Sequence, residues 1–405
     1  MKILVINSGS SSIKYQLFDM DRKAVLTGGL IERIGLEAGR VIHRRHTDGE
    51  VSEVVKECPI PNHEEGLRFI ANLLIHPDHG VLSDTSEIDV VGHRVVHGGE
   101  HFSATTLIDG EVLNTIRRLI PLAPLHNPPN LMGIEVSMKI FPHAKQVAVF
   151  DTAFHQTMPP EAYRYAIPNA LYRDHGVRVY GFHGTSHRYV SRMAARHLGT
   201  PLGDTNLITA HLGNGASITA VKNGCSVDTS MGFSPLPGLV MGTRCGDIDP
   251  AVIFYLEKAH GMTVDDIDTL LNKESGLLGV GGSSDLRDIL AKHAKRDPDA
   301  TLALSLYVYR IKKYIGAYMA ILGRVDALVF TAGVGENSPY IRWHACKDLE
   351  HLGIVIDKDK NNTKREGIFE IHAGQSRVKV LVIPTNEELE IATQAQALID
   401  SANSL

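Results

Sequence analysis

A chain of 405 residues with 43% apolar and 21% charged side chains is long enough for two or three domains, which excludes a single small one. No stretch approaches the roughly 18 unbroken apolar residues of a membrane helix. A net charge of −5 with both signs dispersed offers no basic stripe for nucleic acid and no polybasic membrane patch, so the expected partner is a small molecule.

The chain opens with "MKILVINSGS", one Lys before a strand-length apolar run too short for a signal-peptide core, so no export signal is expected. Cys58, Cys225, Cys245 and Cys346 are far apart and lack paired spacing, which favours reduced thiols over a disulfide framework or a zinc site. Short apolar runs alternate with amphipathic stretches from end to end, the pattern of α/β layers with much parallel pairing. The predicted strands run Lys2 to Ile6, Ile13 to Phe18, Val147 to Phe150, Leu207 to His211, Ser217 to Val221, Ala327 to Thr331 and Val378 to Ile383.

Between the first two strands lies a turn of Gly and Ser. In an extended second strand Ile13, Tyr15 and Leu17 share one face, and Ser12, Lys14 and Gln16 share the other. The small residues from Ser8 to Ser12 would let backbone N–H groups approach phosphate oxygens, with Lys14 adding a cation. It is not a Walker loop, because a strand follows instead of a helix. On the residues alone, a solvated Ser-rich hairpin stands beside that reading as an equal alternative.

Further along, "GHRVVHGG" sets Arg94 among Gly and apolar residues, where its planar guanidinium needs an anion, either a ligand or a structural partner. Asp151 ends the strand of "VAVFDTAFH", a position that suits either a cleft-facing carboxylate or a cap. "GFHGTSHRYV" places His183 ahead of a helix that Thr185 or Ser186 would cap, with His187 expected on the helix surface. "GNGAS" at Gly213 to Ser217 and "TAGVGEN" at Thr331 to Asn337 both follow apolar strands, and strand ends rich in Gly are where α/β proteins bind nucleotides. Arg244 sits in the Gly-rich "MGTRCGDIDP", again as anion contact or ion pair. Asp249 and Pro250 should start a helix that Gly261 closes, and Thr385 with Glu388 should form a capping box for the last helix. Glu387 falls in its first turn, where the helix dipole favours a carboxylate whether or not it serves a metal.

One internal echo runs through this order. "INSGSSSIKYQLF" from Ile6 and "HLGNGASITAV" from His211 share the layout strand, small polar turn, alternating strand, with Ser12 and Ser217 separated by 205 residues. Near half the chain length, that separation suggests two related lobes, with a chance match of two hairpins as the alternative.

The ordered set "VINSGSSSIKYQLF", "GHRVVHGGE", "VFDTAFH", "YGFHGTSH", "HLGNGAS", "MGTRCGDIDP", "TAGVGENS" and "IPTNEELEIA" resembles the acetate kinase (acetokinase) family over essentially the whole chain. The resemblance implies an α/β, two-lobed ribonuclease H-like fold of the actin, Hsp70 and sugar kinase type, with a duplicated βββαβαβα core that clamps ATP. It implies an N-terminal lobe over residues 1–150, to which the C-terminal helix 385–405 returns, and a nucleotide-binding lobe over 151–384. The implied activity is reversible, in-line transfer of the ATP γ-phosphoryl group to acetate, giving acetyl phosphate and ADP. Mg²⁺ is the implied cofactor, with Mn²⁺ able to substitute, and a cytoplasmic homodimer with no membrane or nucleic-acid partner is expected. A propionate or butyrate kinase of the same family and an ATPase switch of the actin and Hsp70 type are the alternatives.

Carried over by position, Asp151, His183 and Arg244 are the implied catalytic residues, and Arg94, Val96 and Arg244 the implied substrate contacts. The nucleotide is implied at Ser12, Lys14, His211, Leu212, Gly213, Asn214, Gly215, Asp285, Leu286, Arg287, Gly333, Val334, Gly335, Glu336 and Asn337, and the metal at Asn7 and Glu387. Val96 is expected to wall the alkyl pocket, which tilts the choice toward acetate over propionate. Acetate is already ionised near neutral pH, so Asp151 is expected to position other groups and not to act as a true base.

Overall fold

A computed structural model describes residues 1–47 and 50–403, and it divides into two compact units, Met1–Phe154 with Asn386–Leu405, and His155–Thr385. The last two residues of the expected C-terminal helix lie outside the described residues.

The first unit is built on eight strands: β1 (Lys2–Ser8), β2 (Ser12–Asp19), β3 (Ala24–Glu32), β4 (Gly39–Thr47), β5 (Glu50–Cys58), β6 (Val90–Val95), β7 (Thr106–Leu107) and β8 (Lys145–Phe150). They lie in the order β5-β4-β3-β2-β1-β6-β8-β7. β1 pairs antiparallel with β2, setting Asn7 opposite Lys14, and parallel with β6, which in turn is parallel to β8.

Strand alternation decides which core each residue joins. Leu4, Ile6, Ile13, Tyr15 and Leu17 pack with Leu67, Ile70 and Leu74 of the helix His63–Leu74 and with Val136 of the helix Asn127–Ile140. Ile3, Val5, Phe18, Val147 and Val149 point to the other face, where Ile391, Ala392, Ala395 and Ile399 of the helix Glu387–Asn403 cover them. A helix that buries a four-residue stripe of this kind gains most of its stability from that packing.

The predicted strands do not include β3 to β7. β3 carries Gly28 and Gly29 at its centre, residues that weaken a strand signal. The second glycine is required by close approach, since a Cβ there would fall 2.2 Å from the Ile42 carbonyl oxygen and 2.7 Å from the Tyr15 hydroxyl.

The second unit has six strands: β9 (Leu207–Leu212), β10 (Ala216–Lys222), β11 (Cys225–Thr229), β12 (Ala327–Thr331), β13 (Phe369–Glu370) and β14 (Lys379–Val382), ordered β11-β10-β9-β12-β14-β13. β9 is antiparallel to β10 and parallel to β12, which is parallel to β14. The run β3-β2-β1-β6-β8 of the first sheet therefore recurs as β11-β10-β9-β12-β14 in the second, so the half-chain echo marks equivalent hairpins. Every residue of β9 and β12 is buried, which explains their continuous apolar reading. The long helix Pro298–Leu322, capped by Asp297, buries Leu304, Tyr307, Ile311, Ile315, Tyr318 and Leu322 at helical spacing.

Three helix starts differ from expectation. Pro250 itself occupies the cap position of the helix Ala251–His260, while the Asp249 carboxylate accepts from the Ala251 N–H at 2.9 Å; Gly261 closes that helix with φ 67°. Neither Thr185 nor Ser186 caps the helix Gly184–Leu198; His183 holds the cap position in the left-handed region, φ 57°. For the last helix Asn386, not Thr385, caps, its Oδ1 accepting from the Leu389 N–H at 2.9 Å. Thr385 is engaged elsewhere, its N–H donating to Glu336 at 3.1 Å and its hydroxyl lying 2.9 Å from that of Ser186. Among the described residues no helix is long and apolar enough to cross a membrane.

Candidate active site

In the first unit the parallel strands β1, β6 and β8 end together, and the polar residues gather at those ends. Gly9 N–H donates to the Ser12 carbonyl at 2.8 Å, closing the turn between β1 and β2. Asn130 braces it, its Nδ2 donating to the Ser8 carbonyl at 2.7 Å and its Oδ1 accepting from the Val96 N–H at 3.0 Å. Ser12, Lys14 and Gln16 face away from the buried Ile13, Tyr15 and Leu17, and the Lys14 ammonium pairs with Glu388 at 2.5 Å.

Arg94, near the end of β6, donates from Nη2 to Asp151 at 3.0 Å, and its Nε lies 3.9 Å from Glu387. The Asp151 side chain is 1% exposed and that of Arg94 19%, so this ion pair is largely out of water. Burial pulls the Arg94 guanidinium down, but Asp151, Glu387 and Glu388 outweigh it and leave its pKa raised. Glu387 is pushed up to about 7, first by burial and then by Asp151 and Glu388, with Arg94 and Lys14 opposing. Val96, which follows β6, is buried.

Burial raises Glu387, with Asp151 and Glu388 adding to it, and a hard divalent cation would relieve both effects. Among the described residues no group of three or more His, Cys, Asp or Glu converges as a metal cage. Mg²⁺ commonly takes only one or two carboxylates and completes its shell with water and phosphate, so the oxygen donors of Asn7 and Glu387 fit it.

In the second unit His183 Nδ1 lies 2.8 Å from the Ser217 hydroxyl, and its ring stacks on His211 with centroids 4.2 Å apart. His211 Nδ1 is 2.8 Å from the Ser186 hydroxyl. Arg244 donates from Nη1 to the Pro235 carbonyl at 3.2 Å, and burial lowers its pKa. His183 and Arg244 meet over Gly215: a Cβ on that glycine would lie 3.4 Å from His183 Nε2 and 3.5 Å from Arg244 Nη1. Two donors thus flank one glycine, which leaves room for an anion close to the backbone.

A cavity of about 680 Å³ opens in the same unit, large enough for a nucleotide. Gly213, Asn214, Asp285, Leu286, Arg287, Gly333, Val334 and Asn337 line it. Leu212, Gly335, His211, Gly215 and Glu336 are not in its wall. Leu212 and Gly335 are buried, His211 and Gly215 face His183, and Glu336 holds the Thr385 N–H. Asp285 caps the helix Leu286–Ala294 and pairs with Arg287, whose hydrogen bonds hold its carboxyl at about 2. Tyr307, 1% exposed, also lines the cavity, and its hydroxyl has no hydrogen-bond partner among the described residues.

Sequence reasoning missed several residues of this unit. His187 is fully buried instead of lying on the surface, with Nδ1 2.7 Å from the Thr209 hydroxyl and Nε2 2.8 Å from that of Ser217. Val190 and Ala194, three and seven positions on, mark the buried side of that helix and would have placed His187 on it. Arg342, 2% exposed, donates to the carbonyls of Gly335 and Glu336 at 3.0 and 2.8 Å, and to Asn361 Oδ1 and O, each at 2.8 Å.

Residues 2–393 match the acetokinase family. The chain belongs to that family. An acetate kinase of Thermosipho africanus is 55% identical over 403 residues, covering 99% of this chain and 98% of its own. The acetokinase fold is equally clear in three dimensions: a crystal structure of Porphyromonas gingivalis acetate kinase superimposes with a TM-score of 0.93 at 48% identity, covering 98% of this chain and 99% of its own. A crystal structure of a propionate kinase from Francisella tularensis, 43% identical, reaches 0.91 with the same coverage. Acetokinases are phosphotransferases with a carboxyl group as acceptor, and the ribonuclease H-like lobes expected of one are the duplicated sheets described above.

Proposed function

We propose that this chain transfers the γ-phosphoryl group of ATP to acetate, reversibly, giving acetyl phosphate and ADP. The observation that carries the reading is the construction of the second unit, where the Gly213–Gly215 turn lines the nucleotide-sized cavity on one side and meets His183 and Arg244 on the other.

The acetate carboxylate, with a reference pKa near 4 to 5, attacks phosphorus as the anion it already is. The new P–O bond forms in line with the one that breaks to ADP, and charge spreads over three equatorial oxygens. Donors fixed in advance supply most of the stabilisation in such a site. His183 and Arg244 contribute an imidazole and a planar fork to those oxygens, while the Gly213, Asn214, Gly333 and Asn337 turns hold the nucleotide. Arg94 takes the acetate carboxylate, and Val96 walls its methyl group. Asp151 orients Arg94 by the 3.0 Å ion pair and accepts no proton. Mg²⁺, which Asn7 and Glu387 would hold, neutralises phosphate charge when bound. The enzyme is proposed to be cytoplasmic and homodimeric.

Trapping with hydroxylamine tests the reaction. With ATP, Mg²⁺ and acetate, acetohydroxamate should accumulate in step with ADP, with propionate slower, because one methylene in an apolar pocket is worth only about 1 to 3 kcal/mol. Release of phosphate with no hydroxamate from any short-chain acid would replace the kinase by an ATPase.

A further inference from the structure

We propose that His187 is a positioning residue that holds His183 as a neutral imidazole with its proton on Nε2, through a one-way chain of hydrogen bonds running Thr209, His187, Ser217, His183. The inference rests on the reading of His183 as a donor to the transferring phosphoryl group.

The chain has three links: Thr209 Oγ1 to His187 Nδ1 at 2.7 Å, His187 Nε2 to Ser217 Oγ at 2.8 Å, and Ser217 Oγ to His183 Nδ1 at 2.8 Å. Thr209, His187 and Ser217 are each 0% exposed, so no bulk water completes their valences. A neutral imidazole carries one N–H and a hydroxyl one O–H, so three links have three hydrogens to share. Run forward, Thr209 donates to His187 Nδ1, His187 Nε2–H donates to Ser217, and Ser217 donates to His183 Nδ1. Every hydrogen is then used. Run backward, His187 Nδ1–H donates to Thr209, and the Thr209 hydroxyl hydrogen needs a second acceptor. His187 is the only partner that hydroxyl has among the described residues. A buried donor without an acceptor is the costlier arrangement, so the forward direction is selected.

With Nδ1 of His183 accepting, its proton sits on Nε2, the nitrogen that faces Gly215 beside Arg244 Nη1. Protonating His183 would set Nδ1–H against a Ser217 that already receives His187 Nε2–H, which strands the Ser217 hydrogen unless the whole chain reverses. The chargeable groups around His183 in this unit act the same way. His211 is stacked on it, Arg244 lies across Gly215, and His187 stands behind Ser217 with His155 at its edge. The phosphoryl group thus meets one cation, Arg244, and one neutral donor whose supply does not change across the range where an ordinary histidine titrates.

Two-bond ¹⁵N–¹H correlation spectra of the full chain with labelled histidine read tautomer and titration directly. In the wild type, His187 and His183 should both show a pyrrole-type Nε2 and a pyridine-type Nδ1, with His183 still neutral at pH 6.5, where an unperturbed histidine is about half protonated. Thr209→Val removes the hydroxyl that sets the direction without touching His183. It should raise the His183 pKa and mix the His187 tautomers, and Thr209→Ser should restore both. Ser217→Ala should release His183 in the same sense. A pyrrole-type Nδ1 on His187 in the wild type, or a His183 titration unmoved by Thr209→Val, would overturn the relay. Should the chain make no acyl phosphate, the reading of the reaction falls, while these spectra still decide the relay.

Discussion

Arg94 and Asp151 form a largely buried ion pair at the strand ends of the first unit, and their chemistry decides what Asp151 is for. The guanidinium has five N–H donors, so a single bond to Asp151 leaves a fork for a substrate carboxylate. Asp151→Asn keeps the shape and an acceptor but loses the charge that keeps Arg94 turned. Its pH–rate profile should retain the wild-type acidic limb, with KM for acetate raised about tenfold, the order of one lost charge-assisted hydrogen bond. Loss of that limb together with most of kcat would restore a proton-accepting role. At this scale the sequence was legible where a residue's place in a strand decided its exposure: Arg94, on a β6 absent from the predicted strands, was read only from its Gly and apolar neighbours, but Asp151 read as a strand-end group. Glu387 did not, because a carboxylate in a first helical turn is stabilised by the helix dipole in any protein. Its raised pKa comes first from burial and then from Asp151, both of which only the fold supplies, with its sequence neighbour Glu388 adding to them.

The short helix Ala332–Asn337 carries the turn that lines the nucleotide cavity, and with six residues it cannot hold itself. Arg342 holds it. Its guanidinium has carbonyl and amide oxygens as partners and no carboxylate, and burial lowers its pKa to about 10. Arg342→Met leaves several buried carbonyls without donors. It should cost on the order of 3 kcal/mol and lower the melting temperature by roughly 10 °C, with KM for ATP raised more than kcat is lowered. A melting temperature within about a degree of wild type would show that the helix stands without it. The tie to Gly335 and Glu336 spans only seven and six residues, but nothing in the sequence marks Arg342 as buried, and its other partner, Asn361, is brought to it only by the fold. The last helix teaches the same lesson in miniature. Thr385 and Asn386 are both good caps, and the choice between them turned on Ser186 and Glu336, which lie 199 and 49 residues before Thr385 and are invisible to any local pattern.

Over the whole molecule, the duplication was legible because a hairpin of alternating residues leaves the same trace wherever it occurs, and both sheets repeat the same strand order around it. The copies have diverged in use. Lys14 is 56% exposed and charged, whereas Thr219, its counterpart in the echo, is fully buried against Thr229. The strands β3 to β5 on one side of the first sheet were not legible, since half-exposed and Gly-broken strands carry little apolar signal. Specific chemistry rested on the resemblance, because Gly-rich strand ends fit many nucleotide enzymes. The central claim is that a carboxylate oxygen attacks the γ-phosphorus, and isotope transfer tests it most directly. With acetate labelled by ¹⁸O in both oxygens, ATP and hydroxylamine, the phosphate released from trapped acyl phosphate should carry one ¹⁸O, left by the bridging oxygen that came from acetate. Phosphate free of that label, with ADP still formed, would mean that water and not acetate is the acceptor.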